Sequence, residues 1–306
     1  MVNLYRGVGS VGTSFFGGIC MVVEQFKQWL IADGKADTTI ASYINDVNKF
    51  NEYLKAKEAH EAYINRFYFT SYVKHLKSKG AAINTINKKI TSLKVYNDWL
   101  FKQDLVSEVY VNIKRDKIRV ADGSEAEVSV LDDEQVERFL FHLEKETQRN
   151  RAIGYLLLYT GVRVSELVNI RIQEIDQLTS QLKINGKGGK MREVPLRSDV
   201  LKIIQMYIQG ERVASKFASS EYLLVSQRAE KLHRDTIRKW LEEVGEKLRF
   251  HIHPHMLHHT FCTRLLKNGV DLTVVAKLAG HSSVNTTMKH YINISKEQKQ
   301  FAVEKI

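Results

Sequence analysis

Apolar side chains recur every three or four residues through the first hundred positions, which is the period of an amphipathic helix. From Met21 onward the pattern predicts four helices. The fourth carries one continuous apolar stripe, made of Ile83, Ile86, Ile90, Leu93, Tyr96 and Leu100. Residues 1–20 are rich in Gly and Ser and lack this period, so we expect a disordered leader there, or a start codon upstream of a functional Met21. Residues 21–110 are predicted to form a compact helical domain.

The periodicity breaks over residues 111–128, where a basic cluster is followed by Ala-Asp-Gly-Ser, and we interpret this stretch as an interdomain linker. Residues 129–306 are predicted to form a second, mainly helical domain. Two short alternating segments, 182–184 and 193–196, flank a lysine- and glycine-rich turn that is typical of hairpins. The fold class that we expect is mainly α, with a small β-hairpin or three-stranded sheet.

The 306 residues carry a formal net charge of +11, with a pI near 9.4, which favours nucleic acid as the partner over an unrelated basic enzyme. Between Lys74 and Arg119, eleven Lys or Arg residues stand against four Asp or Glu. We therefore expect DNA contacts from the polar face of the fourth helix, with a solvated face as the alternative. The candidates are Asn84, Asn87, Lys88, Thr91 and Lys94.

Cysteine usage and hydropathy suggest a compartment. Only Cys20 and Cys262 occur, which favours a reducing environment over a disulfide framework. The sequence has no run of about 18 apolar residues, which is the length that would predict a membrane span. We expect a cytoplasmic protein, associated with a bacterial nucleoid and not with a membrane.

Three motifs stand out in the second domain: TGVRVSEL at 160–167, HPHMLHHTFCTRLLKNG at 253–269 and LAGHSSVNTTMKHY at 278–291. Together with the lysine hairpin, in this order and spacing, they resemble the tyrosine recombinase, or phage integrase, family. The resemblance extends from about Met21 to the C-terminus. It implies a helical core-binding domain at 21–110 and a catalytic domain at 129–306, as in Xer-like recombinases and transposon-encoded resolvases.

The resemblance implies a metal-independent DNA strand transferase that needs no cofactor. A tyrosine, here Tyr291, attacks a phosphodiester, forms a 3′-phosphotyrosyl bond and releases a 5′ hydroxyl that a partner strand later replaces. The implied partners are a double-stranded DNA recombination site and further copies of the chain, a dimer on one site and a tetramer in the synapse. Residues 296–303 match the C-terminal helix that family members pass to a neighbour, or else pack on their own domain. The outcome is transposon cointegrate resolution or integration and excision.

Metal-free phosphoryl transfer needs cations on the phosphate oxygens and a proton donor for the leaving oxygen. The motif match implies that Arg163 binds the scissile phosphate, with a surface salt bridge to the nearby glutamate as the alternative. It also implies that Lys187 is the general acid, with Lys190 as the competing lysine. His255 matches the histidine that assists proton transfer, and His281 matches the one that hydrogen-bonds the phosphate.

The residue at position 258 departs from the family pattern His-x-x-Arg, because this chain reads His255-Met-Leu-His258. A histidine near pKa 6.5 is mostly neutral at pH 7 and has no bidentate fork. We expect reduced or absent cleavage relative to His258→Arg. Three explanations stay open: an active variant in which His258 serves, an inactivating substitution, natural or engineered, and a cleavage-deficient site-specific DNA-binding protein.

Five histidines close together raise one more alternative, a metal-dependent hydrolase. They are His251, His253, His255, His258 and His259. The spacing is not His-Glu-x-x-His, and we expect neither cysteine nor carboxylate ligands beside it. The sequence therefore predicts no metal site.

Overall fold

The computed structural model describes residues 14–59, 63–119, 129–186 and 189–281 together with positions 284 and 304, with side chains from Met21 onward. The chain divides into two compact units, Met1–Glu125 and Ala126–Ile306. Helices dominate both units, and the second adds a three-stranded antiparallel sheet. The expected fold class is confirmed.

The first unit packs its helices around one core. The helices are α1 (Ser14–Ala32), α2 (Asp37–Ala56), α3 (Arg66–Ser78), α4 (Ile83–Lys102) and the short α5 (Ile113–Asp116). The apolar stripe of α4 is buried as predicted, except that Ile83 is 41% exposed at the start of the helix. Asp46 of α2 lies in this core, where it accepts hydrogen bonds from the Lys89 ammonium at 3.0 Å and the Ser92 hydroxyl at 2.8 Å. The buried Asp46 carboxylate is therefore hydrogen-bonded and paired with a cation, which offsets the cost of burying its charge.

The expected leader needs a correction, because α1 begins at Ser14 and not at Met21. Extending an existing helix adds a backbone hydrogen bond for each residue, whereas starting one is costly. A helix that forms from Met21 onward therefore continues backwards through Gly17 and Gly18, although each glycine costs about 1 kcal/mol relative to alanine. Residues 1–13 lie outside the described part.

The expected linker also needs a correction over residues 111–118, which pack on the first unit. Val111 is fully buried, and its amide donates to the Asn97 side chain at 3.0 Å. Asn87 binds both backbone groups of Ile118, donating to its carbonyl at 2.9 Å and accepting from its amide at 2.8 Å. These long-range bonds hold the segment in place, which its polar composition did not indicate. Residues 120–128 lie outside the described part.

The second unit combines helices with the small sheet, one face of which packs into the helical core. Its helices are α6 (Asp133–Leu143), α7 (Gln148–Thr160), α8 (Val164–Leu167), α9 (Ser198–Tyr207), α10 (Arg234–Leu248), α11 (Pro254–Lys267) and α12 (Leu272–Ala279). The strands are β1 (Ile175–Asp176), β2 (Gln181–Asn185) and β3 (Met191–Pro195), in the order β1-β2-β3. In the β2–β3 register Leu182 faces Val194, and both are buried in the main core. The predicted hairpin is thus present, with one additional short strand.

Local signals explain several boundaries in this unit. The Asp132 side chain accepts from the Gln135 amide at 2.8 Å, and the Gln135 side chain accepts from the Asp132 amide, which is a capping box for α6. His253 caps α11, whose first residue is Pro254. Among the described residues, no helix is both long and apolar enough to cross a membrane.

Candidate active site

A left-handed turn at the end of α7 positions the first motif. Gly161 has φ +61° and caps the helix, and its neighbour Val162 is fully buried. A Cβ atom at Gly161 would lie 2.5 Å from a ring carbon of Phe261 on α11, so the close contact of α7 with α11 requires glycine. The turn delivers Arg163 to the start of α8.

Arg163 and Arg192 share one buried carboxylate, that of Glu166. Arg163 Nη1 lies 3.2 Å from Glu166 Oε1, and the Arg163 amide donates to Oε2 at 2.9 Å. Arg192 of β3 donates to both oxygens, at 3.0 and 2.8 Å. Burial alone would raise the pKa of Glu166, but the hydrogen bonds from Arg192 and from the Arg163 backbone outweigh it and lower the pKa. Glu166 is therefore an anion that holds two guanidinium groups.

The same arginines connect this anion to the end of α12. Arg163 Nη1 donates to the Gly280 carbonyl at 3.2 Å, and Arg192 Nε donates to the Leu278 carbonyl at 2.9 Å. Gly280 is left-handed at φ +64°, and a Cβ atom there would lie 2.5 Å from Arg192 Nη1. Because Gly280 immediately precedes His281, these bonds fix the start of the third motif beside the first.

His258 lies on the buried face of α11, between the first and third motifs. Its side chain is 2% exposed. Nδ1 lies 2.7 Å from the Gly161 carbonyl, and Nε2 lies 3.2 Å from Nε2 of His281. A carbonyl oxygen only accepts, so Nδ1 of His258 carries a proton and Nε2 offers its lone pair.

Burial controls the charge of these histidines. Burial first, and then the Arg163 charge, lowers the pKa of His258 to about 3. His255, one turn earlier and more exposed, has its pKa lowered by burial and then by Arg163 and Arg238. Both imidazoles are neutral at pH 7, so His258 does not supply the positive charge of an arginine. The positive charge that acts on both rings is that of Arg163.

The described part of the chain brings together Arg163, His255, His258 and His281. The ring centroid of His258 lies 6.3 Å from that of His255 and 5.4 Å from that of His281, so the three histidines converge. Lys187, Tyr291 and the segment 296–303 lie outside the described residues. The competing lysine, Lys190, is exposed beside the hairpin turn.

The α4 candidates for DNA contact differ in the hydrogen bonds and ion pairs that they already form within the chain. Asn87 binds the Ile118 backbone, the Thr91 hydroxyl donates to the Asn87 carbonyl at 2.9 Å, and Lys94 forms an ion pair with Asp98. Asn84 and Lys88 are exposed, and Lys88 lies 3.5 Å from Asp46. Their contacts with DNA stay a prediction.

Sequence reasoning missed three residues of this site. The sequence indicates Glu166, one turn after Arg163, as a surface partner of this arginine, whereas the structure buries it. Arg192 sits in an alternating strand and gave no signal. The expectation that no cysteine lies beside the histidines is wrong, because Cys262 follows His258 by one helical turn and its Sγ lies within 4.8 Å of ring nitrogens of His258 and His281.

Known proteins resemble both units. The Phage integrase family matches residues 129–298, and the Phage integrase N-terminal SAM-like domain matches residues 23–104. A relative called TnP I resolvase, from Bacillus thuringiensis, is 32% identical over 277 residues, which cover 87% of this chain and 93% of the relative. Tyrosine recombinase XerA from Pyrococcus furiosus is 31% identical over 288 residues, 93% of each chain.

Solved structures show the same fold at lower identity. The XerH site-specific recombinase bound to its palindromic difH substrate aligns with a TM-score of 0.71 at 21% identity, covering 92% of this chain and 83% of that one. The Tn1549 transposon integrase in complex with a circular intermediate DNA aligns with a TM-score of 0.70 at 18% identity, covering 93% and 98%. The chain therefore belongs to the phage integrase family and is a tyrosine recombinase, an enzyme of site-specific DNA recombination.

Proposed function

We propose that this recombinase cleaves a double-stranded DNA site with Tyr291 as the nucleophile and Arg163 as the main ligand of the scissile phosphate. The observation that carries the proposal is the convergence of the first and third motifs, which the Arg163–Gly280 hydrogen bond joins at 3.2 Å. Glu166 holds the guanidinium of Arg163 by an ion pair. The Arg163 side chain is still 29% exposed, so it is open to a ligand. A planar guanidinium of this kind binds two phosphate oxygens at once.

The reaction follows from the groups assigned to it. The Tyr291 oxygen attacks phosphorus, the bond to the 5′ oxygen breaks, and a 3′-phosphotyrosyl link replaces it. Lys187 gives its proton to the departing 5′ oxygen, His255 assists proton transfer, and His281 hydrogen-bonds the phosphate. The number of phosphoester bonds is conserved, so religation to a partner strand needs no external energy source.

We assign the recombination outcome to transposon cointegrate resolution, with integration and excision as the alternative. Support comes from the relative called a resolvase, which matches 87% of this chain. Strand exchange between two DNA sites would use four copies, a dimer on each site, with residues 296–303 as the candidate exchanged segment. In this proposal the protein works in the cytoplasm on nucleoid DNA.

The α4 surface is the proposed DNA-contacting face of the first unit. Lys88 is exposed there, and Asn84 lies one turn before it on the same helix. An ammonium near phosphate releases bound counterions and strengthens binding without reading the sequence. Asn87, Thr91 and Lys94 complete the proposed face.

A suicide substrate tests the nucleophile. A cognate DNA site with a nick close to the cleavage position loses a short fragment after attack, which traps the covalent protein–DNA adduct. We expect wild type to form the adduct and Tyr291→Phe to form none at unchanged DNA affinity. Tyr222→Phe keeps the ring that stacks under Lys231 and serves as the matched control with full adduct formation.

Two results would overturn the assignment. An adduct that persists in Tyr291→Phe would place the nucleophile elsewhere. Tight and specific binding by wild type with no adduct would support the cleavage-deficient DNA-binding protein, an alternative that the relatives do not favour. The metal-dependent hydrolase alternative is not favoured either.

A further inference from the structure

Three side chains with metal-binding atoms meet where α11 passes the end of α12. His258 and Cys262 are one turn apart on α11, and His281 follows α12. One ligand atom from each, two imidazole nitrogens and the cysteine Sγ, all lie within 4.8 Å of one another. Cys262 is fully buried, His258 is 2% exposed, and His281 is half-buried. The group is therefore buried on the α11 side, and His281 is its most exposed member.

The protonation of His258 suits a metal ligand. Its Nδ1 proton is committed to the Gly161 carbonyl at 2.7 Å, which leaves the lone pair of Nε2 pointing at His281. Ligand histidines in proteins commonly donate their other ring N–H to a backbone carbonyl in this way, which fixes the tautomer and the ring. The tautomer that a metal ligand requires at Nε2 of His258 is thus already present.

The spacing suits a tetrahedral ion as well. Bonds of about 2.0–2.1 Å to nitrogen and about 2.3 Å to sulfur place tetrahedral ligand atoms roughly 3.3–3.6 Å apart. The two Nε2 atoms are 3.2 Å apart already. Sγ, which is within 4.8 Å of a ring nitrogen of each histidine, needs a movement of about an ångström at most.

We propose that His258, Cys262 and His281 bind a soft divalent cation of the Zn²⁺ class, with three protein ligands and one open coordination position. Thiolate and imidazole together favour zinc or cobalt over magnesium or calcium. On binding, the Cys262 thiol releases its proton to solvent, so the ion, one thiolate and two neutral imidazoles carry a net charge of +1. Glu166 screens the nearest guanidinium, because Arg163 Nη1 lies 3.2 Å from its carboxylate.

The test uses the purified full chain without DNA, so that its failure is distinguishable from a failure of strand cleavage. Cobalt(II) is added and the absorption of the thiolate-to-cobalt charge transfer is followed, and zinc stoichiometry is measured against a chromophoric chelator. Wild type is expected to bind one equivalent and to show the charge-transfer band. Cys262→Ser is expected to lose the band and to bind zinc at least roughly tenfold more weakly.

Matched variants keep the outcome clear. Cys20→Ser removes the only other thiol of the chain and is expected to behave as wild type. His258→Arg and His281→Asn are each expected to weaken zinc binding by a similar factor, with circular dichroism showing that each variant is folded. Wild type that takes up no ion, or a charge-transfer band that persists in Cys262→Ser, would overturn the proposal.

Discussion

The imidazole of His258 donates its Nδ1 proton to the carbonyl of Gly161, 97 residues away, at 2.7 Å. This bond joins the helix that carries the second motif to the left-handed turn that precedes Arg163. It also fixes a neutral ring where the family pattern has a permanent cation. Position 258 therefore lacks the charge of the family's arginine.

Restoring the arginine should increase cleavage. In His258→Arg, a guanidinium in place of the neutral ring adds a charged donor to the scissile phosphate, and a single such donor is worth on the order of 10²-fold in rate. The rate of covalent adduct formation on a nicked substrate checks this expectation. The larger side chain costs about 1–3 kcal/mol in a packed core, so rates are compared at a temperature where both proteins are folded. Equal rates at equal folded fraction would contradict the expectation.

Stability should fall with acid in a way that depends on His258. The pKa of His258 is lowered from 6.5 to about 3 in the folded chain, mainly by burial. Below pH 6.5 the unfolded chain binds a proton that the folded chain does not, so the free energy of unfolding falls as the pH falls toward 3. The slope from this residue is about 1.4 kcal/mol per pH unit.

His258→Asn isolates that contribution, because asparagine keeps a donor for the Gly161 carbonyl and does not titrate. Urea unfolding of both proteins between pH 7 and pH 4 gives the difference in slope. We expect the stabilities to converge, or to cross in favour of the variant, as the pH falls. If the free energy of unfolding of both proteins changed with pH by the same slope, the pKa of His258 would not be lowered by folding.

Arg192 should act as a positioning residue for Arg163. Its side chain is 11% exposed and binds both Glu166 oxygens, so Arg192→Met leaves a buried carboxylate with Arg163 alone and costs about 3–5 kcal/mol. Glu166 then draws Arg163 inward, which lowers the rate of adduct formation more than the affinity for DNA. Arg192→Lys should restore part of the rate.

The exposed pair Arg171–Glu221 provides the matched control for that prediction. Its atoms are 3.4 Å apart and its side chains are 43% and 54% exposed. Arg171→Met should therefore cost less than about 1 kcal/mol and leave the cleavage rate unchanged. An equal loss of stability in both variants would argue against a special role of the buried pair.

Gly161 should tolerate no side chain. In Gly161→Ala the left-handed backbone costs about 1–2 kcal/mol, and the Cβ atom, 2.5 Å from the Phe261 ring, adds about 1–3 kcal/mol of overpacking. Gly269→Ala is the control, because Gly269 has φ +79° and a Cβ atom there would meet nothing within 4 Å, so only the backbone cost applies. Denaturant unfolding of both variants gives the collision energy by difference. Similar losses in the two variants would place no close contact at Gly161.

Local signals predicted elements well where they were strong. The helix that the apolar stripe from Ile83 to Leu100 predicts is present as Ile83–Lys102, because helical periodicity is a property of nearby residues. The linker over 111–118 was predicted wrongly, because what holds it is a pair of hydrogen bonds from Asn87, 31 residues before Ile118. Such bonds leave no pattern in the segment that they hold.

The sequence alone determined the family, the mainly helical fold and the order of Arg163, His255 and His281, since helical periodicity and motif spacing are properties of nearby residues. Only the tertiary structure decided which partner each polar group has. It placed Glu166 between two arginines, buried His258 against the Gly161 carbonyl and brought Cys262 beside His281. The charge of a side chain depends on its desolvation and on the groups that surround it, and these come from residues far apart in the chain.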